Sequence, residues 1–355
     1  MFKFKKSIIE TVRLSNYTDR SNNILNLDRN EKVQSLTNLH KKKLNKYFNK
    51  LNLNLYPNLK ETYKKLSKYI RCKIDNILIT EGVSGAIKNI LDSTYIDRKI
   101  EIIVPKPSFA LYEIYSKIYN FKVKTYTYGN DYTLNLQNIF KLTSKNTSIV
   151  FITFPNIPVE GEIKLSAIVE LVKFLNKKKI LLVVDEVYYP FNKSSAIKLV
   201  KRYKNIVIMR SFSKAFGLAG ARIGYMISNS ANIKKISKSK GGYETNMLSA
   251  QAMNYMLDNT KITKRYVNDV RMGFVYLKKQ LKKLKVNFYG GSESNFIYID
   301  LKNRNKTKKI CRLLKAKKII VRSELEKPFE KGFVLTGCPT KQMKKFVIAF
   351  TKIYT

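Results

Sequence analysis

Between residues 76 and 213, short β-branched runs alternate with longer helical patterns. No other feature of the chain narrows its fold as much. NILIT (76–80), KIEIIVP (99–105), TSIVFITFP (147–155), ILLVVDEVYY (180–189) and NIVIMRSFS (205–213) read as strands. EGVSGAIKNILDSTY, PSFALYEIYSKIYN and LSAIVELVKFLNKKK, each following one of the first three, read as helices. The strand runs are continuously apolar, so both faces of their sheet are expected to be covered. Strand–helix alternation at this spacing predicts an α/β fold with a mostly parallel sheet.

The last third changes character. Residues 262–284 form one long amphipathic pattern, followed by the short apolar runs NFYG, SNFIYIDL, KIIVRS and GFVLTG and a final helical pattern from about Thr340. The expected organisation is a large domain over 45–255 and a small α+β domain over 256–355. An N-terminal arm, 1–44, lacks a strong pattern and is expected to join the small domain. A length of 355 residues suits two domains.

Composition removes several kinds of chemistry. There is one histidine, His40, and three cysteines (Cys72, Cys311, Cys338) without C-x-x-C spacing. A His-rich metal centre, a Ser-His-Asp triad and a disulfide framework are therefore disfavoured. The cysteines read as inert thiols and His40 as a surface residue. Reactive groups must come from Lys, Asp, Tyr, Arg or a cofactor. The 69 Lys+Arg against 25 Asp+Glu give a net charge of +44, the footprint of a nucleic-acid binder. Yet the lysines run along the whole chain and are sparsest in its most ordered-looking segments. That pattern reads as composition bias, with no specific nucleic-acid partner. No apolar run reaches the roughly 18–20 residues of a membrane span, and no secretory signal opens the chain. The expectation is a soluble, cytoplasmic protein without a membrane partner.

In open parallel sheets, ligands bind beyond the carboxyl ends of the strands. After the first strand come Glu81-Gly82-Val83-Ser84-Gly85-Ala86, small residues opening a helix, where backbone N–H groups can meet an anion. Asp185 ends the strand begun at Ile180, with Tyr188 close behind; its carboxylate needs a donor or cationic partner, or serves as a helix cap. After the strand from Asn205 comes SFSKAFGLAGARIGY (211–225). Lys214 there stands between two serines, with Arg222 eight residues on. It offers an amine nucleophile, hydroxyl donors and a guanidinium for one phosphate.

That segment resembles the Schiff-base lysine signature of the class I/II aminotransferases that use pyridoxal 5'-phosphate (PLP), the fold-type I or aspartate-aminotransferase group. The resemblance covers nearly the whole chain and is nearest the histidinol-phosphate aminotransferase branch, which includes amino-acid-phosphate decarboxylases. Asp185-Glu186-Val187-Tyr188 resembles the family's D-E-x-Y, Pro107-Ser108-Phe109 its P-[ST]-[YF], Leu55-Tyr56-Pro57 its R-Y-P, Asn30-Glu31 its N-E, and Ser294-Asn295-Phe296 its x-N-F. The resemblance implies a seven-stranded-type sheet and a homodimer with shared active sites. It implies that Lys214 holds PLP and then acts as general base, that Asp185 pairs with the pyridine nitrogen, and that Tyr188 bonds the ring hydroxyl. Phe109 would stack on the ring. Val83, Ser84, Gly85, Ser211, Ser213 and Arg222 would hold the phosphate, joined by Tyr56 of the neighbouring subunit. Asn30, Tyr243 and Arg322 would face substrate, with Lys240 and Asn246 as further pocket candidates. The partners would be an amino donor and a 2-oxo acid.

Two departures stand out. In the family's N-P-T-G turn, alignment on the proline puts Ile157 at the asparagine that bonds the ring hydroxyl, with Asn156 one residue early. Either the turn is re-registered and Asn156 serves, or the contact is lost. In the family's R-x-[ST]-x-G frame, Phe333 falls at the arginine that forks onto the substrate carboxylate. Arg322 falls where the histidinol-phosphate branch binds substrate phosphate. The pair predicts a substrate with a phosphate or phosphonate and no α-carboxylate. The expected activity is amino-group transfer between such an amine and a 2-oxo acid. The alternatives are decarboxylation of a phosphorylated amino acid and a degenerate member that binds polyanions.

Overall fold

The computed structural model describes residues 4–11, 23–94 and 100–355. Tyr95 and Lys99, the ends of two predicted elements, lie outside the described residues. The chain opens with α1 (Lys6–Ile9), β1 (Leu25–Leu27), α2 (Asn38–Phe48) and α3 (Lys60–Ile70). A central sheet follows, made of β2 (Ile77–Thr80), β3 (Glu101–Lys106), β4 (Lys122–Thr127), β5 (Thr147–Thr153), β6 (Leu181–Asp185), β7 (Ile206–Ser211) and β8 (Gly224–Ile227). Between and after these strands come α4 (Gly82–Asp92), α5 (Leu111–Ile118), α6 (Gln137–Leu142), α7 (Leu165–Lys177) and α8 (Ser230–Ile236). The strand order is β2-β8-β7-β6-β5-β3-β4, parallel except at β8, which runs antiparallel to both neighbours. It is the α/β architecture expected. The two faces of β5, β6 and β7 are buried in separate apolar clusters, one containing Val150, Val184 and Ile208, the other Phe151, Val183 and Met209. That explains why these strands read as unbroken apolar runs.

Three of the predicted strands run too long at the carboxyl end. β5 stops at Thr153, β6 at Asp185 and β7 at Ser211. The chain turns where side chains take over from the ladder: Asp185 Oδ1 accepts from Val187 N (2.9 Å), and Ser211 Oγ from Ser213 N (3.0 Å). Each turn leaves its functional side chain at the sheet rim.

The second body holds α9 (Met247–Asp258), α10 (Thr260–Lys283), β9 (Asn287–Gly290), β10 (Phe296–Asp300), α11 (Arg304–Ala316), β11 (Ile319–Val321), β12 (Gly332–Thr336) and α12 (Thr340–Tyr354). β12, β10 and β9 form an antiparallel sheet, whereas β11 pairs in parallel with β1 of the N-terminal arm. The domain limits at 44/45 and 255/256 fall inside α2 and α9. Those two helices pack on one another, joined by Tyr47 Oη donating to Asp258 (2.7 Å). His40 belongs to this contact as well. It is half-buried, not a surface residue, with Nδ1 2.6 Å from Tyr255 Oη. α9 is buried over most of its surface, from Ser249 and Ala250 to Met256 and Leu257, so it has cover on more than one side.

Candidate active site

The rims of β2, β6 and β7 meet under the N-terminal arm. Lys214 follows β7, and its Nζ donates to the Arg29 carbonyl (2.8 Å). Burial pushes this amine down to about 8; the charges of Arg322 and Arg222 act in the same sense, those of Glu31 and Asp185 against it. Asp185 is fully buried, and burial pushes its carboxyl up to about 7 despite donation from Tyr112 Oη (2.5 Å) and Val187 N. A buried acid poised between its two states suits a cationic partner in the cleft. Tyr188, also buried, is pushed up to about 12, with the Asn30 hydrogen bond and the Arg322 charge opposing burial.

An anion cradle lies beside these groups. Val83, Ser84 and Gly85 form the first turn of α4, and Arg222 Nη2 donates to Ser84 Oγ (3.2 Å). Gly82, unmarked in sequence as a site residue, has φ +67°. A Cβ there would stand 3.3 Å from the Arg222 guanidinium, and one on Gly224 would stand 2.9 Å from Gly82 Cα. Glycine at both positions lets β8 and the α4 start close around the cradle. Ser211 and Ser213 are buried on the turn leaving β7. Helix start, hydroxyls and guanidinium together make a phosphate site.

Phe109, 41% exposed, lies edge-on to Tyr112 at 5.8 Å. It opens onto a cavity of about 810 Å³ lined by Ser108, Phe109, Ile157, Arg322 and Phe329, with Ser7 and Glu10 of the arm at its edge.

Several expected site residues sit differently. Asn30 is buried, and its amide donates to Tyr188 Oη (3.0 Å) instead of facing substrate. Asn156 has no exposed surface. Its amide hydrogens go to Tyr128 Oη (2.6 Å) and the Pro107 carbonyl (3.2 Å), and its Oδ1 accepts from Ser108 (2.5 Å). It cannot serve the cofactor as re-registration would require. Tyr56 (79% exposed) and Tyr243 (46%) stack on each other at the surface, 4.7 Å apart. Lys240 is paired with Glu244, and Asn246 caps α9 through Ser249 N. Phe333 does not look toward the cleft: it is buried against Phe346 and Phe350 of α12. Side chains alternate along a strand, so Val334 and Thr336 take the other face, where Thr336 Oγ1 accepts from Asn30 N. Val334 pairs through its backbone with Arg322. No arginine of β12 stands there in either register. Tyr112 and Thr153, linked at 3.1 Å behind Asp185, escaped sequence reading. Tyr112 lies three residues after Phe109, the spacing of one helix face.

The family profile described as aminotransferase class I and II matches residues 20–347. The chain belongs to that family. It is 29% identical to a histidinol-phosphate aminotransferase of Clostridium novyi over 79% of each chain. With that of Methanocaldococcus jannaschii it shares 30%, over 73% of this chain and 69% of the relative. A histidinol-phosphate aminotransferase of Sinorhizobium meliloti, solved in complex with pyridoxal-5'-phosphate, superposes with a TM-score of 0.89 at 17% identity, covering 100% of this chain and 98% of that one. The protein is a PLP-dependent aminotransferase of fold type I. Its residues fit the cofactor: a cradle for the phosphate, a buried carboxyl for a ring cation, and an amine of lowered basicity for the aldehyde. Among the described residues there is no cluster that could hold a metal ion, and no helix is long and apolar enough to cross a membrane.

Proposed function

We propose that this aminotransferase takes its amino group from a small amine or amino acid bearing a phosphate or phosphonate, and passes it to a 2-oxo acid. The observation that carries the reading is the position of Arg322. It lines the cavity beside Phe109, and its charge reaches both Lys214 and Tyr188. The facing strand β12 offers Val334 and Thr336, with no second guanidinium for an α-carboxylate. Several relatives are named for a phosphorylated amine, which supports the same reading.

PLP, when bound, supplies an aldehyde that captures the substrate amine and a ring that draws electrons from its Cα. Around it, Arg222, Ser84, Ser211, Ser213 and the α4 start would fix the phosphate, with Val83 giving a backbone N–H group and Gly85, whose own N–H goes to the Glu81 carbonyl (3.3 Å), giving room for close approach. Asp185, held by Tyr112 and Val187 N, keeps a proton on the ring nitrogen. Phe109 covers one ring face. Lys214 Nζ would hold the cofactor between turnovers and, once displaced by the substrate amine, would take the proton from the substrate Cα; its lowered pKa brings it nearer to the neutral form than an exposed lysine. Arg322 anchors the substrate phosphate. The enzyme acts in the cytoplasm as a homodimer, in which the exposed Tyr56 reaches the partner's cofactor phosphate. No membrane or specific nucleic-acid partner is involved.

The test is the absorption spectrum of loaded protein titrated with single amines and no acceptor. Histidinol phosphate and 2-aminoethylphosphonate should convert the cofactor to its amine form at far lower concentration than histidinol or ethanolamine. Arg322→Ala should remove that preference, raising KM about 10- to 100-fold with a smaller change in kcat. Equal response to amines with and without phosphate would overturn the reading. Release of carbon dioxide from phosphoserine would put the decarboxylase in its place.

A further inference from the structure

We propose that Asn30 is a positioning residue for the cofactor, and that the ring-hydroxyl edge is held by Tyr188 with Asn30 behind it, without any asparagine from the turn at 155–161. The inference rests on the PLP reading above. Asn156, the one asparagine on that turn, is consumed inside the protein. Both its amide hydrogens and its oxygen have partners in Tyr128, Pro107 and Ser108. Its backbone is paired in both directions with Glu160 (3.2 and 2.7 Å). Tyr128 Oη donates onward to the Ile157 carbonyl (3.0 Å), so the network closes on itself. Ile157 has no polar group to offer.

Tyr188 shows the opposite state. Its oxygen accepts from Asn30 Nδ2, while its own O–H finds no acceptor among the described residues. A buried phenol with an uncommitted hydrogen is a donor awaiting an oxygen. Asn30 fixes that hydrogen's direction by filling one lone pair, and polarises the O–H bond into a stronger donor. Asn30 is itself over-determined. It sits at φ +54°, its N–H donates to Thr336 Oγ1 (2.9 Å), and its carbonyl accepts from Asn295 Nδ2 (2.9 Å). Its Oδ1 accepts from the Thr336 hydroxyl (3.3 Å), which leaves only Nδ2 to face Tyr188. Thr336 and Asn295 border the β12–β10 sheet, so the second body sets the Asn30–Tyr188 contact.

The experiment is a pH titration of the bound-cofactor absorption band in wild type, Tyr188→Phe, Asn30→Gly and Asn156→Ala. Glycine at position 30 accepts the positive φ and keeps both backbone hydrogen bonds, so only the amide is lost. Asn30→Gly should move the midpoint in the same direction as Tyr188→Phe, by a smaller amount of about half a pH unit. Asn156→Ala should lower thermal stability and leave the midpoint in place. If Asn156→Ala fails to fold, Tyr128→Phe, which loses only the hydroxyl between the Asn156 amide and the Ile157 carbonyl, replaces it with the same expectation. A midpoint unmoved by Asn30→Gly, or moved by the position-156 or position-128 variant as far as by Tyr188→Phe, overturns the proposal. A wild type that shows no cofactor band overturns the PLP reading itself, a different result from either.

Discussion

Lys214 and Asp185 lie near enough to bias each other's charge and have pKa values displaced in opposite senses, one down to about 8 and one up to about 7. Both displacements come first from burial, which penalises whichever form is charged. For Lys214 the folded state favours the neutral amine. Competitive acetylation of the cofactor-free protein should therefore give a reactivity that rises with a midpoint near 8 at Lys214, against about 10.4 for the exposed lysines in the same digest. A midpoint shared with the exposed lysines would contradict the burial account. For Asp185 the folded pKa is raised, so the folded state binds the proton more tightly than the unfolded chain. Its contribution to stability is present below about pH 4 and is lost as pH rises toward 7. Asp185→Asn removes that loss. The cofactor-free variant should be more stable than wild type at pH 8, by on the order of 2–4 kcal/mol, with the difference vanishing near pH 4. The same variant should lose most of its activity, since an amide cannot hold a proton on the ring nitrogen.

At the scale of elements, the turn after β5 ties the two bodies together. Glu160 is buried at φ +70° and accepts from Ser292 N (3.0 Å), Glu293 N (2.9 Å) and Ser294 Oγ (2.6 Å), all between β9 and β10. Glu160→Ala leaves the buried Ser294 hydroxyl without this acceptor and the two N–H groups to water, and should cost about 1–2 kcal/mol in denaturant unfolding. Glu160→Gln, which keeps one oxygen, should fall between. Equal stability of all three proteins would deny the clamp. What was legible in the sequence follows from the same scale. The central strands could be read because burial on both faces leaves no room for polar residues. β4 was passed over because KVKTYT is an edge strand, where lysines are tolerated and even useful. β8 was passed over because four residues, GYMI, sit inside the lysine frame and read as its tail. The partnership of β1 with β11 joins segments nearly 300 residues apart, and no local pattern announces it. Asp185, Tyr188 and Lys214 were legible because each lies at or just past a strand end, and Arg222 because it shares the lysine's local frame. Tyr112 behind Asp185, Asn30 behind Tyr188 and the spent amide of Asn156 were not, since each depends on which strands become neighbours. Phe333 shows the limit of alignment by frame: strand alternation, decided by packing on α12, turned it away from the cleft.

At the scale of the molecule, the +44 charge is spread over the surface, while the cleft mixes signs. Lys106 there pairs with Glu113 of α5 (3.0 Å) and approaches Glu326 of the second body (3.9 Å). A separate region exposes Leu53, Leu55, Tyr56 and Tyr243. Apolar side chains gathered in this way suit a second copy of the chain. Light scattering should give twice the chain mass, and Tyr56→Ala should weaken both the dimer and PLP retention about tenfold. A monomer that retains PLP fully would contradict the shared site. The central claim is that one lysine among the many on this chain carries the cofactor. Borohydride reduction of the PLP-loaded protein followed by peptide mapping tests it most directly. A single labelled tryptic peptide, SFSKAFGLAGAR, modified at Lys214, is expected, with no label in Lys214→Arg. Label spread over surface lysines, or retained in the variant, would contradict it.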